Sequence, residues 1–122
     1  MVMTNGRNTA MESFRPPSAS DPVLSEVVRR LVEAYHPLRI YLFGSAARGD
    51  AGTDSDYDFM VVVSDDAGPE LQDCGIGYRA LSGLGIAKDI LVWTRHDFDK
   101  RLPLKASLPS TVVDEGKLLY AA

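Results

Sequence analysis

The stretch Phe43-Gly44-Ser45-Ala46-Ala47-Arg48-Gly49-Asp50, followed by Thr53-Asp54-Ser55-Asp56-Tyr57-Asp58-Phe59, decides how the rest of the chain is read. It is entered from Arg39-Ile40-Tyr41-Leu42-Phe43, a short apolar, β-prone run that reads as a strand ending at Gly44. It leaves through a second strand from about Tyr57 to Val63. There the unbroken Phe59-Met60-Val61-Val62-Val63 run implies burial on both faces, as in an α/β sheet. Between the two strands the chain is polar and glycine-rich, with a helical turn expected near Ala46–Arg48.

Upstream, Asp21-Pro22 suits the N-cap and first position of a helix. Leu24, Val27, Val28, Leu31 and Tyr35 recur at helical spacing as one buried stripe, and Pro37 stops the helix. Glu26 and Arg30, four apart, form a favourable pair on the wet side. Residues 1–20 show no apolar period and read as a tail, leaving 21–122 as one domain.

Downstream, Asp65-Asp66-Ala67-Gly68-Pro69 is a turn, with the charges of Asp65 and Asp66 expected in solvent. Leu71, Cys74, Tyr78 and Leu81 then give helical spacing, placing Cys74 in the core. Gly83 and Gly85 end that segment, and Ile86 to Trp93 reads as a third strand with Asp89 in its middle. Thr94 with Asp97 resembles a capping box that opens a short helix to about Arg101. Ser107 to Glu115, closed by Gly116, is a further helix, and Lys117 to Tyr120 an edge strand.

Length and charge limit the function. A chain of 122 residues supports one modest core. A net charge of -4 supplies no electrostatic reason to bind nucleic acid nonspecifically, so any nucleotide contact must be local and assisted by a cation. A single cysteine rules out an internal disulfide and fits a reducing, cytoplasmic setting. No stretch is apolar for long enough to span a membrane, and the N-terminus lacks the apolar core of a signal peptide.

The chemistry concentrates in the opening stretch. Alternate residues of a strand share a face, so Asp56 and Asp58 project together. Two adjacent carboxylates repel unless a cation lies between them, and hard divalent ions such as Mg²⁺ take such oxygen donors while leaving positions open for phosphate oxygens. Gly44-Ser45 at a strand end offers backbone N–H groups and a hydroxyl to a phosphate. From Asp50 to Asp66 there are six aspartates and no Lys or Arg, a segment that would repel a triphosphate in the absence of metal. Arg48, just before it, could donate to a phosphate. A Walker loop fails because Asp50 stands where lysine is required. A calcium loop fails because Phe59 and Asp65 stand where glycine and glutamate are required. Aspartates that merely cap turns would leave the side-by-side repulsion without compensation.

Gly-Ser, ten residues, then Asp-x-Asp resembles the signature of the polymerase-β-like nucleotidyltransferase superfamily, here as Gly44-Ser45 and Asp56-Tyr57-Asp58. The resemblance implies that fold: an α/β domain with a small mixed β-sheet and flanking helices. It further implies that Asp56 and Asp58 hold the metals. Asp89, in Lys88-Asp89-Ile90-Leu91-Val92, would be the third carboxylate, as metal ligand or as base, with Gly44 and Ser45 on the triphosphate. The short chain is similar to the minimal nucleotidyltransferases paired with HEPN-domain toxins. That likeness implies an antitoxin using Mg²⁺ and ATP to place AMP on a tyrosine of a HEPN ribonuclease. Two other readings are an antitoxin acting by contact alone and nucleotidyl transfer to a small molecule or RNA end.

The remaining chemistry-bearing residues have simpler readings. His36 and His96 sit beside helix ends as surface or capping residues. Trp93 packs in the core unless exposed, when it would suit a partner interface.

Overall fold

The computed structural model describes residues 22–44 and 57–122. The expected tail, the Asp21 cap, the turn near Ala46–Arg48, and with them Ser45, Arg48 and Asp56, lie outside the described residues.

Helix α1 (Pro22–Tyr35) buries Leu24, Val27, Leu31 and Tyr35, the spacing anticipated from the sequence, with Val28 half-buried. It closes at His36, whose φ of 48° is the left-handed conformation that turns the chain into Pro37. Strands β1 (Arg39–Phe43) and β2 (Tyr57–Val63) follow. Then come a short 3₁₀ turn (Pro69–Gln72), helix α2 (Cys74–Ala80), strand β3 (Lys88–Thr94), helices α3 (Arg95–Arg101) and α4 (Leu108–Glu115), and strand β4 (Lys117–Ala121). No helix among the described residues is long and apolar enough to cross a membrane.

The four strands form one mixed sheet in the order β3-β2-β1-β4. β1 runs antiparallel to β2 and β4, while β3 runs parallel to β2. A parallel neighbour requires a crossover, and the chain from Ser64 to Ala87 supplies it through α2. On one sheet face Ile40, Leu42, Phe59, Val61, Val63, Ile90 and Leu119 pack against the α1 stripe and Leu81. On the other, Tyr41, Met60 and Val62 pack against Phe98 of α3 and Val112 of α4. β2 is therefore covered on both sides, as its unbroken apolar run requires.

The cap on α3 follows the sequence expectation, and α4 is capped in the same way by Ser107, just before its first residue. Thr94 Oγ1 accepts from the Asp97 N–H at 3.2 Å and Ser107 Oγ from the Ser110 N–H at 3.2 Å. Three expectations need correction. β3 begins at Lys88, not Ile86, because Gly85 (φ 70°) keeps the chain out of the sheet, so Asp89 is its second residue. Cys74 is exposed. Asp73 starts α2 there by accepting from the Gly75 N–H at 2.8 Å, which resets the helical phase and turns Gly77 inward instead. Asp65 is not merely solvated: its Oδ1 accepts from the His96 N–H at 2.7 Å, tying the β2–α2 loop to α3.

The Glu26–Arg30 pair forms at 2.7 Å, with Arg29 joining Glu26 at 2.6 Å. Arg30 also donates to Ala80 O (3.2 Å) and Ser82 O (3.1 Å), so this cluster docks α1 onto the end of α2. Hydrogen bonds from Arg29 and then Arg30 lower the Glu26 pKa from 4.5 to about 2. A depressed carboxylate contributes stability that is present above its unfolded pKa and lost as pH falls through the folded value. The Glu26 carboxyl, followed by NMR, should titrate near pH 2, with its share of stability fading between pH 4.5 and 2. A midpoint at the ordinary value would show that the cluster does not hold in solution.

Candidate active site

Three of the residues singled out in the sequence, Gly44, Asp58 and Asp89, are described, and they come together at one end of the sheet. β1 and β2 pair Phe43 with Asp58, and β2 and β3 pair Asp58 with Asp89. Residues in register on neighbouring strands share a face, and the strands are about 4.8 Å apart. Asp58 and Asp89 therefore stand side by side, on the face that carries Met60 and Val62 further along β2. Asp58 is half-buried and Asp89 exposed.

Gly44 is fitted to this arrangement in two ways. Its φ of 78° is one that side chains with a Cβ rarely adopt. A Cβ there would also fall on Asp58 Oδ2, 3.2 Å from Cγ and 3.6 Å from the Asp58 Cβ. The turn out of β1 is thus glycine because the Asp58 carboxylate lies across it.

The donor set is suited to a hard cation. Asp58 and Asp89 offer anionic oxygens from two rigid strands, and the cost of holding them together is offset when a divalent ion lies between them. Among the described residues no group of three His, Cys, Asp or Glu forms a metal cluster. Asp56, Ser45 and Arg48 lie outside the described residues.

The other candidates lie elsewhere. His36 is exposed at the end of α1 and His96 in the first turn of α3, neither near the carboxylate pair in the sheet. Trp93 is half-buried, with the Arg101 guanidinium 5.5 Å from its ring centroid. Together with Gln72, Val92, Thr94 and Asp97 they line a cavity of about 370 Å³ at the far end of β3 from Asp89. The sequence reading passed over Tyr78, which it placed in an apolar stripe. Its Oη accepts from the Ile90 N–H at 3.1 Å, directly beside Asp89. No local signal marked it: the ring is 37% exposed and its hydroxyl's partner is a backbone N–H twelve residues on.

The family model of the nucleotidyltransferase domain matches residues 24–119. No curated protein gives a significant match. Among solved structures, the fold is similar to a chain of a toxin–antitoxin complex with AMP-PNP (TM-score 0.56, 23% identity, 81% of this chain and 73% of that one). It is also similar to a chain from a variant of the toxin–antitoxin pair MntA–HpeT (0.55, 21%, 81% and 73%). A third is a structure described as a nucleotidyltransferase from Sulfolobus solfataricus (0.55, 20%, 97% and 92%). At these identities the likeness is one of fold.

The Gly44–Asp58 contact gives a direct prediction. Gly44→Ala should destabilise the protein by at least about 1 kcal/mol in urea unfolding, from the positive φ alone, and displace the Asp58 carboxylate. An unchanged unfolding free energy would contradict this geometry.

Proposed function

The chain belongs to the nucleotidyltransferase domain family, and from that premise we propose that it is an adenylyltransferase antitoxin. In this reading it transfers AMP from ATP to a tyrosine hydroxyl of a cognate HEPN-type toxin, in the cytoplasm, through a domain spanning residues 21–122. The observation that carries the reading is the register of Asp58 with Asp89 on adjacent parallel strands, with Asp58 laid across Gly44. The fold similarity to toxin–antitoxin chains, one of them in a complex with AMP-PNP, supports the choice of nucleotide and partner.

In the proposed reaction the acceptor's phenolic oxygen forms a bond to the α-phosphorus of ATP, and the bond between that phosphorus and the α,β-bridging oxygen breaks. Pyrophosphate leaves with the electron pair, and the phenol's proton passes to a carboxylate. Asp89 is the proposed base, since its exposed position on the outer strand meets an acceptor arriving from solvent. Asp58 and Asp56 are the proposed metal ligands, with Asp89 completing the set. Mg²⁺ bound there would neutralise charge on the triphosphate and on departing pyrophosphate. Gly44 and Ser45 would present backbone N–H groups and a hydroxyl to the phosphates, with Arg48 as a further donor. The domain itself contributes alignment, holding acceptor oxygen and α-phosphorus in line.

The test is transfer of label from ATP, with Mg²⁺, to the product of the adjacent gene. Wild type should label it, Asp89→Asn should be slower by about 10² to 10⁴, and Asp58→Ala should fail. Transfer by Asp58→Ala at the wild-type rate would remove the catalytic claim. Protection of cells by a transfer-dead Asp56→Ala protein would instead favour neutralisation by contact alone.

A further inference from the structure

Asp89 sits near the start of an outer strand, just after the irregular stretch Leu84–Ala87, so something must keep that end of β3 in place. On one side β2 does so: the Tyr57 N–H donates to Ala87 O at 2.9 Å, and the register runs on through Asp58–Asp89 and Phe59–Ile90. Backbone amides alternate along a strand, so the Ile90 N–H points away from β2, to the sheet's open edge. An edge amide of this kind is ordinarily left to water.

Here α2 meets it. Tyr78 Oη accepts the Ile90 N–H at 3.1 Å. One residue earlier, Gly77 lies so close to the Ile90 side chain that a Cβ would be 2.9 Å from Cδ1 and 3.1 Å from Cγ2. α2 is in turn fixed from α1: the buried Tyr35 hydroxyl accepts from the Gly77 N–H at 2.8 Å and donates to Asp73 O at 2.7 Å. A connected set of contacts thus runs from the core helix to the residue following Asp89.

We propose that Tyr78 is a positioning residue: by accepting the Ile90 N–H, its hydroxyl holds β3 where Asp89 stands beside Asp58 and can share a divalent cation with it. This rests on the reading of Asp58 and Asp89 as a metal–nucleotide site. Tyr78→Phe keeps the ring and its packing and removes only the acceptor, so a purely structural role would leave the affinity of the folded protein for metal unchanged.

The experiment titrates Mn²⁺ alone into wild type, Tyr78→Phe and Asp58→Ala, following free Mn²⁺ by electron paramagnetic resonance. Amide exchange at Ile90 is measured in parallel. Wild type should bind, Asp58→Ala should lose binding, and Tyr78→Phe should bind about tenfold more weakly, the usual scale for a group supporting a ligand. Its thermal midpoint should stay near wild type and its Ile90 amide should exchange faster. In wild type, Mg²⁺ should slow exchange at Ile90, a readout independent of how any variant folds. Wild-type Mn²⁺ affinity in Tyr78→Phe, with Asp58→Ala defective, overturns the role of Tyr78 alone, as does an Ile90 amide indifferent to Mg²⁺ in a protein that binds it. Equal binding by wild type and Asp58→Ala overturns the site reading and the Tyr78 proposal with it.

Discussion

β2 lies between an antiparallel neighbour and a parallel one, and from Phe59 to Val63 its side chains are at most 1% exposed on either face. A one-residue slip of this strand would exchange the two faces, moving Phe59 and Val61 out of the α1 layer and Met60 and Val62 away from Phe98. Both faces are closely packed, so the register is held firmly. Asp58 occupies the same strand one residue before this locked segment, and its neighbours are fixed by the same pairing: Phe43 and Gly44 on one side, Asp89 on the other. The placement of the carboxylates is thus a consequence of core packing further along β2.

The two sides of Asp58 are secured differently. Toward β1 the constraint is steric, because the left-handed Gly44 leaves room for a carboxylate where any Cβ would collide. Toward β3 the constraint is hydrogen bonding at an outer strand, with α2 and ultimately Tyr35 behind it. The opposite end of β3 is tied separately, through the Thr94 cap, the Asp65–His96 contact and the Arg101–Trp93 pair. β3 is anchored at both ends.

Most elements could be read from the sequence because their signals are local. The α1 stripe, the apolar β1 and β2 runs and the Thr94 cap each depend on residues within a few positions of one another, and the helices and strands lie where those signals put them. What escaped depended on competition or distance. Cys74 matched a helical stripe, but Asp73 intervened as a cap and shifted the phase, which periodicity cannot register. Asp65 looked like a loop charge because its partner is 31 residues away. Gly44 and Asp58 could be singled out as chemistry-bearing residues. That the glycine is required by the carboxylate itself emerges only from the three-dimensional contact. Tyr78 escaped for the same reason, its partner being a backbone N–H twelve residues on.

In the proposed function a divalent cation and a triphosphate meet at Asp58, Asp89 and Gly44. The most direct measurement is a crystal structure with Mn²⁺ and a non-hydrolysable ATP analogue, using anomalous scattering to locate the metal. A Mn²⁺ peak is expected within ligand distance of the Asp58 carboxylate, with the triphosphate reaching the Gly44 turn. Metal and nucleotide bound elsewhere, for instance in the Trp93 cavity, with Asp58 contacting neither, would contradict it.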